Sequence, residues 1–241
     1  EECERLGANE HQIEESQKAV ANMEVIIGDQ NRLRAVAEDF INHYETRLAE
    51  GATVAGKAMF VCMNRYIAYD LYKILIELRP EWAVKKVATD GVELSEKDKK
   101  ELKPIEMLKL VMTRNKDDDK ELFDMLGTKD DRKEFVRQFK NPKSNFKIAI
   151  VVDMWLTGFD VPELDTIYID KPIQQHTLIQ TISRVNRVCE GKDKGLIVDY
   201  IGIKKNMNLA LKKYTNFECD EFEGVEQCVV IVKDQLEVLG Q

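Results

Sequence analysis

Short apolar runs alternate along this chain with stretches of helical periodicity, and that alternation constrains the fold most. The runs are Ala58 to Met63 (Ala-Met-Phe-Val-Cys-Met), Leu108 to Met112, Lys147 to Val152, Thr166 to Ile169 and Leu196 to Val198. Strands that are apolar on both faces belong in a parallel sheet covered by helices on each side. Between them, apolar residues recur at helical spacing from Ile67 through Leu78, which stops before Pro80, around Asp131 to Phe139, and from Thr177 to Val188. An earlier helix, with Leu33, Val36, Ala37, Phe40, Ile41 and Tyr44 on one stripe, is expected to start near Asp29. Lys86 to Thr89 reads as a further strand and Asp90 to Lys103 as an aperiodic surface excursion. The tail is expected to end in a helix carrying Val225, Val229, Val232, Leu236 and Leu239. The fold class is therefore α/β, a three-layer lobe with a mostly parallel sheet flanked by helices. Its expected organisation is a linker or partly ordered segment over 1–23, the lobe over 24–213, and a tail over 214–241 leading towards a further helical domain.

Composition narrows the function classes. At 241 residues and 44% apolar, the chain can bury a sizeable core. No apolar run reaches the roughly 20 residues that span a bilayer. Five cysteines without a C-x-x-C pair fit free thiols in a reducing cytoplasm better than disulfides or zinc. Three scattered histidines suggest no metal cluster. A net charge of −8 opposes strong binding to DNA by this chain alone, beyond local clusters such as Lys204-Lys205 and Lys212-Lys213. The chain opens Glu1-Glu2-Cys3-Glu4-Arg5, without a Met or a signal peptide, and reads as part of a longer protein.

Ligands of open parallel sheets gather at the carboxyl ends of strands, so the segments after each strand matter most. Asn64-Arg65 follows the first. Asn64 can cap a helix whose free N–H groups favour a phosphate, or act as a plain cap. The third run is followed by Asp153-Met154-Trp155-Leu156-Thr157-Gly158-Phe159-Asp160-Val161-Pro162. There Gly158 permits close backbone approach, and Asp153 and Asp160 can accept from a hydroxyl or an arginine; an ordinary strand exit is the alternative. Gln180, Arg184 and Arg187 are spaced i, i+4, i+7 and share one face if the helix spans them. Two arginines there suit a γ-phosphoryl group, or form a solvated face. A G-x-x-x-x-G-K-[ST] loop is absent, so the chain alone is expected to hydrolyse no ATP.

Taken in order, Asn64-Arg65, Thr157-Gly158-Phe159-Asp160-Val161-Pro162 and Gln180-x-x-x-Arg184-x-x-Arg187 resemble motifs IV, V and VI of superfamily 2 helicases and translocases. The wording around them is narrower. Val151 to Pro162, Tyr168-Ile169-Asp170-Lys171-Pro172, Gln180 to Arg187, Gly195-Leu196-Ile197-Val198-Asp199-Tyr200 and Phe60 to Met63 with Tyr72 to Trp82 closely resemble the restriction (R) subunit of type I restriction-modification enzymes. The resemblance implies the second RecA-like motor lobe, of P-loop NTPase type. In that family ATP lies between two lobes, and the first lobe supplies the phosphate loop and the Mg site. It implies catalytic roles for Arg184, Arg187 and Gln180, nucleotide contacts from Gly158, Asp160 and Asp153, and DNA contacts from Asn64, Arg65 and Thr157. The implied partners are duplex DNA, a first lobe and nuclease domain in the same polypeptide, and the methylation and specificity subunits. Ser-Arg-Arg is usual in the family where Asn64-Arg65-Tyr66 stands here, which removes one cationic contact. The alternatives are another superfamily 2 motor without a restriction role, and a RecA-like binding module without catalysis. A dinucleotide-binding domain is disfavoured by the lack of G-x-G-x-x-G.

Overall fold

The computed structural model describes residues 10–202 and 229–232, apart from positions 157, 174, 188 and 193. Two helices lead in, α1 (Glu10–Ile27) and α2 (Gln30–Ala49). A βα unit follows, β1 (Lys57–Cys62) and α3 (Arg65–Leu78), then a 3-10 turn at Pro80–Ala83 and the short α4 (Glu96–Glu101). Next come β2 (Leu108–Val111), α5 (Lys120–Met125), α6 (Lys129–Lys140), β3 (Ile148–Val151) and β4 (Leu164–Asp170). α7 (Gln175–Val185), β5 (Leu196–Asp199) and β6 (Val229–Val232) complete the described chain. The six strands form one sheet in the order β2-β3-β1-β4-β5-β6, and every pairing is parallel.

The strands from β1 to β5 are buried along their whole length. Their side chains alternate between two cores, as the two-residue period requires. Ala58, Phe60, Ile150 and Tyr168 pack with Leu33, Val36 and Phe40 of α2 and with Leu71 and Leu75 of α3. On the other face, Met59, Val61, Ala149, Ile167 and Ile169 pack with Leu178 and Ile182 of α7 and Phe139 of α6. That is the three-layer arrangement expected. β3 reaches β4 by a crossover without a helix, residues 152–163, which covers the second face with Trp155, Leu156 and Phe159. The exits of the adjacent strands β1 and β4 lead in opposite directions, towards β2 and β5. Such divergence opens a crevice at the carboxyl edge of a parallel sheet.

Three local expectations differ from the structure. Lys86–Thr89 makes only isolated antiparallel bridges, Lys86 with Ile105 and Ala88 with Ser144; the stretch is short and its one lysine is partly exposed rather than in a core. The excursion 90–103 contains α4, fixed by a Ser95–Asp98 capping box and not by apolar period. Segment 1–23, read as a linker or partly ordered helix, is helical from Glu10. Val229–Val232, read as helical, is a strand beside β5. A Val-Val-Ile-Val run of β-branched residues prefers the extended state, and the sheet edge gives it partners. Val225, Leu236 and Leu239 lie outside the described residues, as do Lys204-Lys205 and Lys212-Lys213.

Candidate functional site

Asn64 caps α3: its Oδ1 accepts from the backbone N–H of Tyr66 at 3.1 Å and of Ile67 at 3.0 Å. Arg65, in the first turn, forms an ion pair with the buried carboxylate of Asp118 and donates to the Thr113 carbonyl at 3.3 Å. The backbone N–H of Asn115 donates to the same carboxylate at 2.7 Å. Arg65 is thus an organiser of the turn after β2. A cleft of about 480 Å³ opens here, lined by Asn64, Arg65, Tyr66, Thr113, Asp153 and Met154 among others. Asp153, at the exit of β3, is exposed and pairs with Lys171, whose Nζ also donates to the Val152 carbonyl at 3.3 Å. The carboxyl edge therefore brings together Asn64, Arg65 and Asp153.

The crossover carries a second group. Trp155 is buried at φ +71 and stacks on Phe159, with centroids 4.1 Å apart and planes 9° apart. Phe139 of α6 lies 5.2 Å from the Trp155 ring. This aromatic cluster anchors the loop and turns Asp160 towards the end of α7. There Asp160 Oδ2 meets Arg187 Nη1 at 2.6 Å, with both side chains nearly half exposed. Gly158, between Trp155 and Phe159 in sequence, has φ +69 with open space on its Cβ side. The left-handed backbone, and not crowding by the protein, calls for glycine there. Thr157 lies outside the described residues.

Gln180, Arg184 and Arg187 do not share one helical face. α7 ends at Val185, so Arg184 occupies its last turn and Arg187 follows in the loop. The chain must turn back into β5 at this point. A Cβ on Gly195, the residue before β5, would lie 2.2 Å from the Val185 carbonyl oxygen. Periodicity could not reveal that limit because it comes from tertiary packing. Gln180 Nε2 lies 3.0 Å from Nε2 of His176, one turn earlier on the same helix. Two buried polar atoms of this group lack a hydrogen-bond partner, Arg184 Nε and Asp160 Oδ1. Such atoms are costly unless a ligand or water meets them.

Sequence reasoning missed Arg32, in the first turn of α2. Its guanidinium donates to both oxygens of Asp170, one at 3.0 Å, to the Ile27 carbonyl at 3.1 Å and to the Tyr200 carbonyl at 3.4 Å. Asp170 ends β4 and is fully buried. Burial pushes its carboxyl above the usual range, and the hydrogen bond and charge of Arg32 oppose that rise. A signal was present. A cation in the first turn of a helix opposes the macrodipole, so both Arg32 and Arg65 needed carboxylate partners from elsewhere.

This parallel sheet with helices on both faces has the three-layer architecture of a RecA-like lobe. Residues 54–202 match the family model for domain 3 of the type I restriction enzyme subunit R, and the chain belongs to that family. It is 36% identical over 231 residues to the type I restriction enzyme HindI endonuclease subunit of Haemophilus influenzae, covering 94% of this chain and 20% of that protein. With a putative type I restriction enzyme MjaIXP endonuclease subunit of Methanocaldococcus jannaschii it shares 39% identity over 211 residues, 87% of this chain and 18% of the relative. The chain thus spans about a fifth of the length of these curated relatives. Among solved structures, a fragment of a putative HsdR subunit of a type I restriction enzyme from Vibrio vulnificus matches with a TM-score of 0.48 and 16% identity, over 84% of this chain and 32% of that one. No helix among the described residues is long and apolar enough to cross a membrane.

Proposed function

We propose that this lobe completes the ATPase of a DNA-translocating type I restriction endonuclease subunit. Its arginines act on ATP held mainly by a first lobe elsewhere in the full-length protein. The observation that carries this reading is the Arg187–Asp160 pair with the unpartnered Arg184 Nε and Asp160 Oδ1 beside it. A guanidinium so exposed can exchange its carboxylate for a phosphate, because an anion of higher charge competes for the same planar fork. Arg184 and Arg187 would then meet the charge that builds on the γ-phosphoryl group, with Gln180 set one turn before Arg184. The freed Asp160, with Gly158 and Asp153, accepts from the nucleotide. Mg on this reading is held by the other lobe. Asn64 and Arg65, at the carboxyl edge, would face duplex DNA, and Thr157 is assigned to the same contact. Arg65 acts there through the turn it holds as much as through its charge. The partners on this reading are the nuclease domain of the same polypeptide and the methylation and specificity subunits, in the cytoplasm.

The test is steady-state ATPase on the full-length subunit. Arg187→Ala should lower kcat for DNA-stimulated hydrolysis about 10³-fold, with nucleotide binding changed far less and the melting temperature retained. Lysine should rescue poorly, since an ammonium lacks the bidentate fork. Near-normal kcat in both Arg184→Ala and Arg187→Ala would overturn the assignment.

A further inference from the structure

Arg32 does more than one salt bridge would require. One guanidinium joins the last residue of α1 through the Ile27 carbonyl, the last residue of β4 through Asp170, and the residue after β5 through the Tyr200 carbonyl. It does so at the carboxyl ends of the adjacent strands β4 and β5. The side chains of Arg32 and Asp170 are 13% and 1% exposed, so the pair is buried and shielded from competing ions. Asp170 stands next to Lys171, which binds Asp153 at the head of the crossover that ends in Asp160. Four residues beyond Lys171, α7 begins its run to Arg184.

We propose that Arg32 is a positioning residue for the hydrolytic arginines: by fixing the β4 exit against the end of α1, it sets both the head of the Asp153–Pro162 crossover and the origin of α7. This rests on the ATPase reading above. Two paths leave the hub, one through Lys171 and its ion pair with Asp153 to Asp160, the other along the chain through Pro172 and Ile173 to Arg184. They converge on the Arg187–Asp160 pair. A displacement at Asp170 therefore moves both halves of the catalytic group together. Misplacement by about 1 Å costs a catalyst on the order of 10²-fold. The link to α1 also gives that helix a mechanical route to the arginines.

The experiment compares Arg32→Lys and Arg32→Gln with wild type in the full-length subunit, measuring DNA-stimulated kcat, KM for ATP and thermal melting. Assays run well below each melting temperature. Arg32→Lys keeps the charge but cannot hold two carboxylate oxygens and two carbonyls in one plane. It should lower kcat by at least about 10-fold while KM for ATP moves less than about 2-fold, since the groups are misplaced and not removed. Arg32→Gln should lose more. A merely structural arginine would lower the melting temperature in Arg32→Lys and leave kcat intact, and that result would overturn the inference. Wild-type protein without DNA-stimulated turnover would overturn the ATPase reading and this inference with it. An active wild type beside a fully active Arg32→Lys overturns the inference alone.

Discussion

At the amino edge of the sheet, Lys57, Lys147 and Lys192 donate to backbone carbonyls of Phe146, Pro142, and Pro162 with Leu164. At the carboxyl edge and along the crossover, Arg32, Arg65, Lys171 and Arg187 meet the carboxylates of Asp170, Asp118, Asp153 and Asp160. The amino-edge lysines are buried. Burial pushes the Lys57 amine well below its ordinary range, and Lys147 down to about 8. They serve as internal caps for strand entrances, in places no anion can reach. The ion pairs with carboxylates instead grade from buried to open. Asp170 and Asp118 are almost wholly enclosed, whereas Arg187 and Asp160 are 42% and 47% exposed. An enclosed pair fixes a backbone; an open pair is one a phosphate can replace. Buried basic side chains therefore hold the fold, and on the proposed function the open Arg187–Asp160 pair meets a ligand.

If that division is right, the largest stability loss should come where α7 meets the amino edge. Gly195→Ala puts a Cβ 2.2 Å from the Val185 carbonyl oxygen and 2.5 Å from the Val185 Cβ. Neither can move without shifting the last turn of α7. The variant should lose about 3 kcal/mol, read by urea unfolding through Trp82 and Trp155, both buried. A loss under about 0.5 kcal/mol would mean that the α7–β5 contact is soft, and with it the placement of Arg184.

Gly195 also shows where the sequence was legible. The strands were, because each is apolar on both faces, and so were α2 and α3, whose stripes and caps at Asp29 and Asn64 are local signals. The end of α7 was not. It is imposed by a residue ten positions later in the chain, while Arg187 continues the helical spacing past the point where the helix stops. The site residues were legible as types but not as one cluster. Asn64, Arg65 and Asp153 lie on the carboxyl edge, and Asp160 and Arg187 meet across the crossover. Nothing in local spacing ties Arg32 to Asp170 across 138 positions of sequence. The β6 strand was hidden by valines that satisfy a helical period as well as an extended one.

A smaller effect should follow pH at the amino edge. The folded Lys147 amine titrates near 8, against 10.5 in the ordinary state. Below pH 8 both states hold the proton, and the penalty of the buried charge is complete. Between about 8 and 10.5 the unfolded chain keeps a proton that the folded chain has released, so this group's contribution to stability rises with pH. Lys147→Met removes the dependence. The stability of wild type relative to the variant should therefore climb by up to a few kcal/mol across that window, at about 1.4 kcal/mol per pH unit. Tyrosines and Cys62 titrate in both proteins and cancel in the difference. A flat difference would show Lys147 to be hydrated, and the contrast between the edges would weaken.

The smallest stability change is expected at Lys171–Asp153, and there the comparison is sharpest. Asp153 is 80% exposed, Lys171 only 19%. Water screens such a pair, and ordering a lysine side chain offsets most of the attraction, so its net worth is about 0.5 kcal/mol or less. Asp153→Asn keeps the shape and an acceptor oxygen while removing the charge. Its unfolding free energy should match wild type to within that amount. In the full-length protein the same change should alter nucleotide affinity, because on the proposed function Asp153 accepts from the nucleotide. The two readouts separate the roles of the edge. A loss above 1 kcal/mol with unchanged nucleotide binding would make Asp153 a structural clamp like Asp118, and would remove it from the nucleotide site. A shift in nucleotide affinity at constant stability is what an open, exchangeable pair produces.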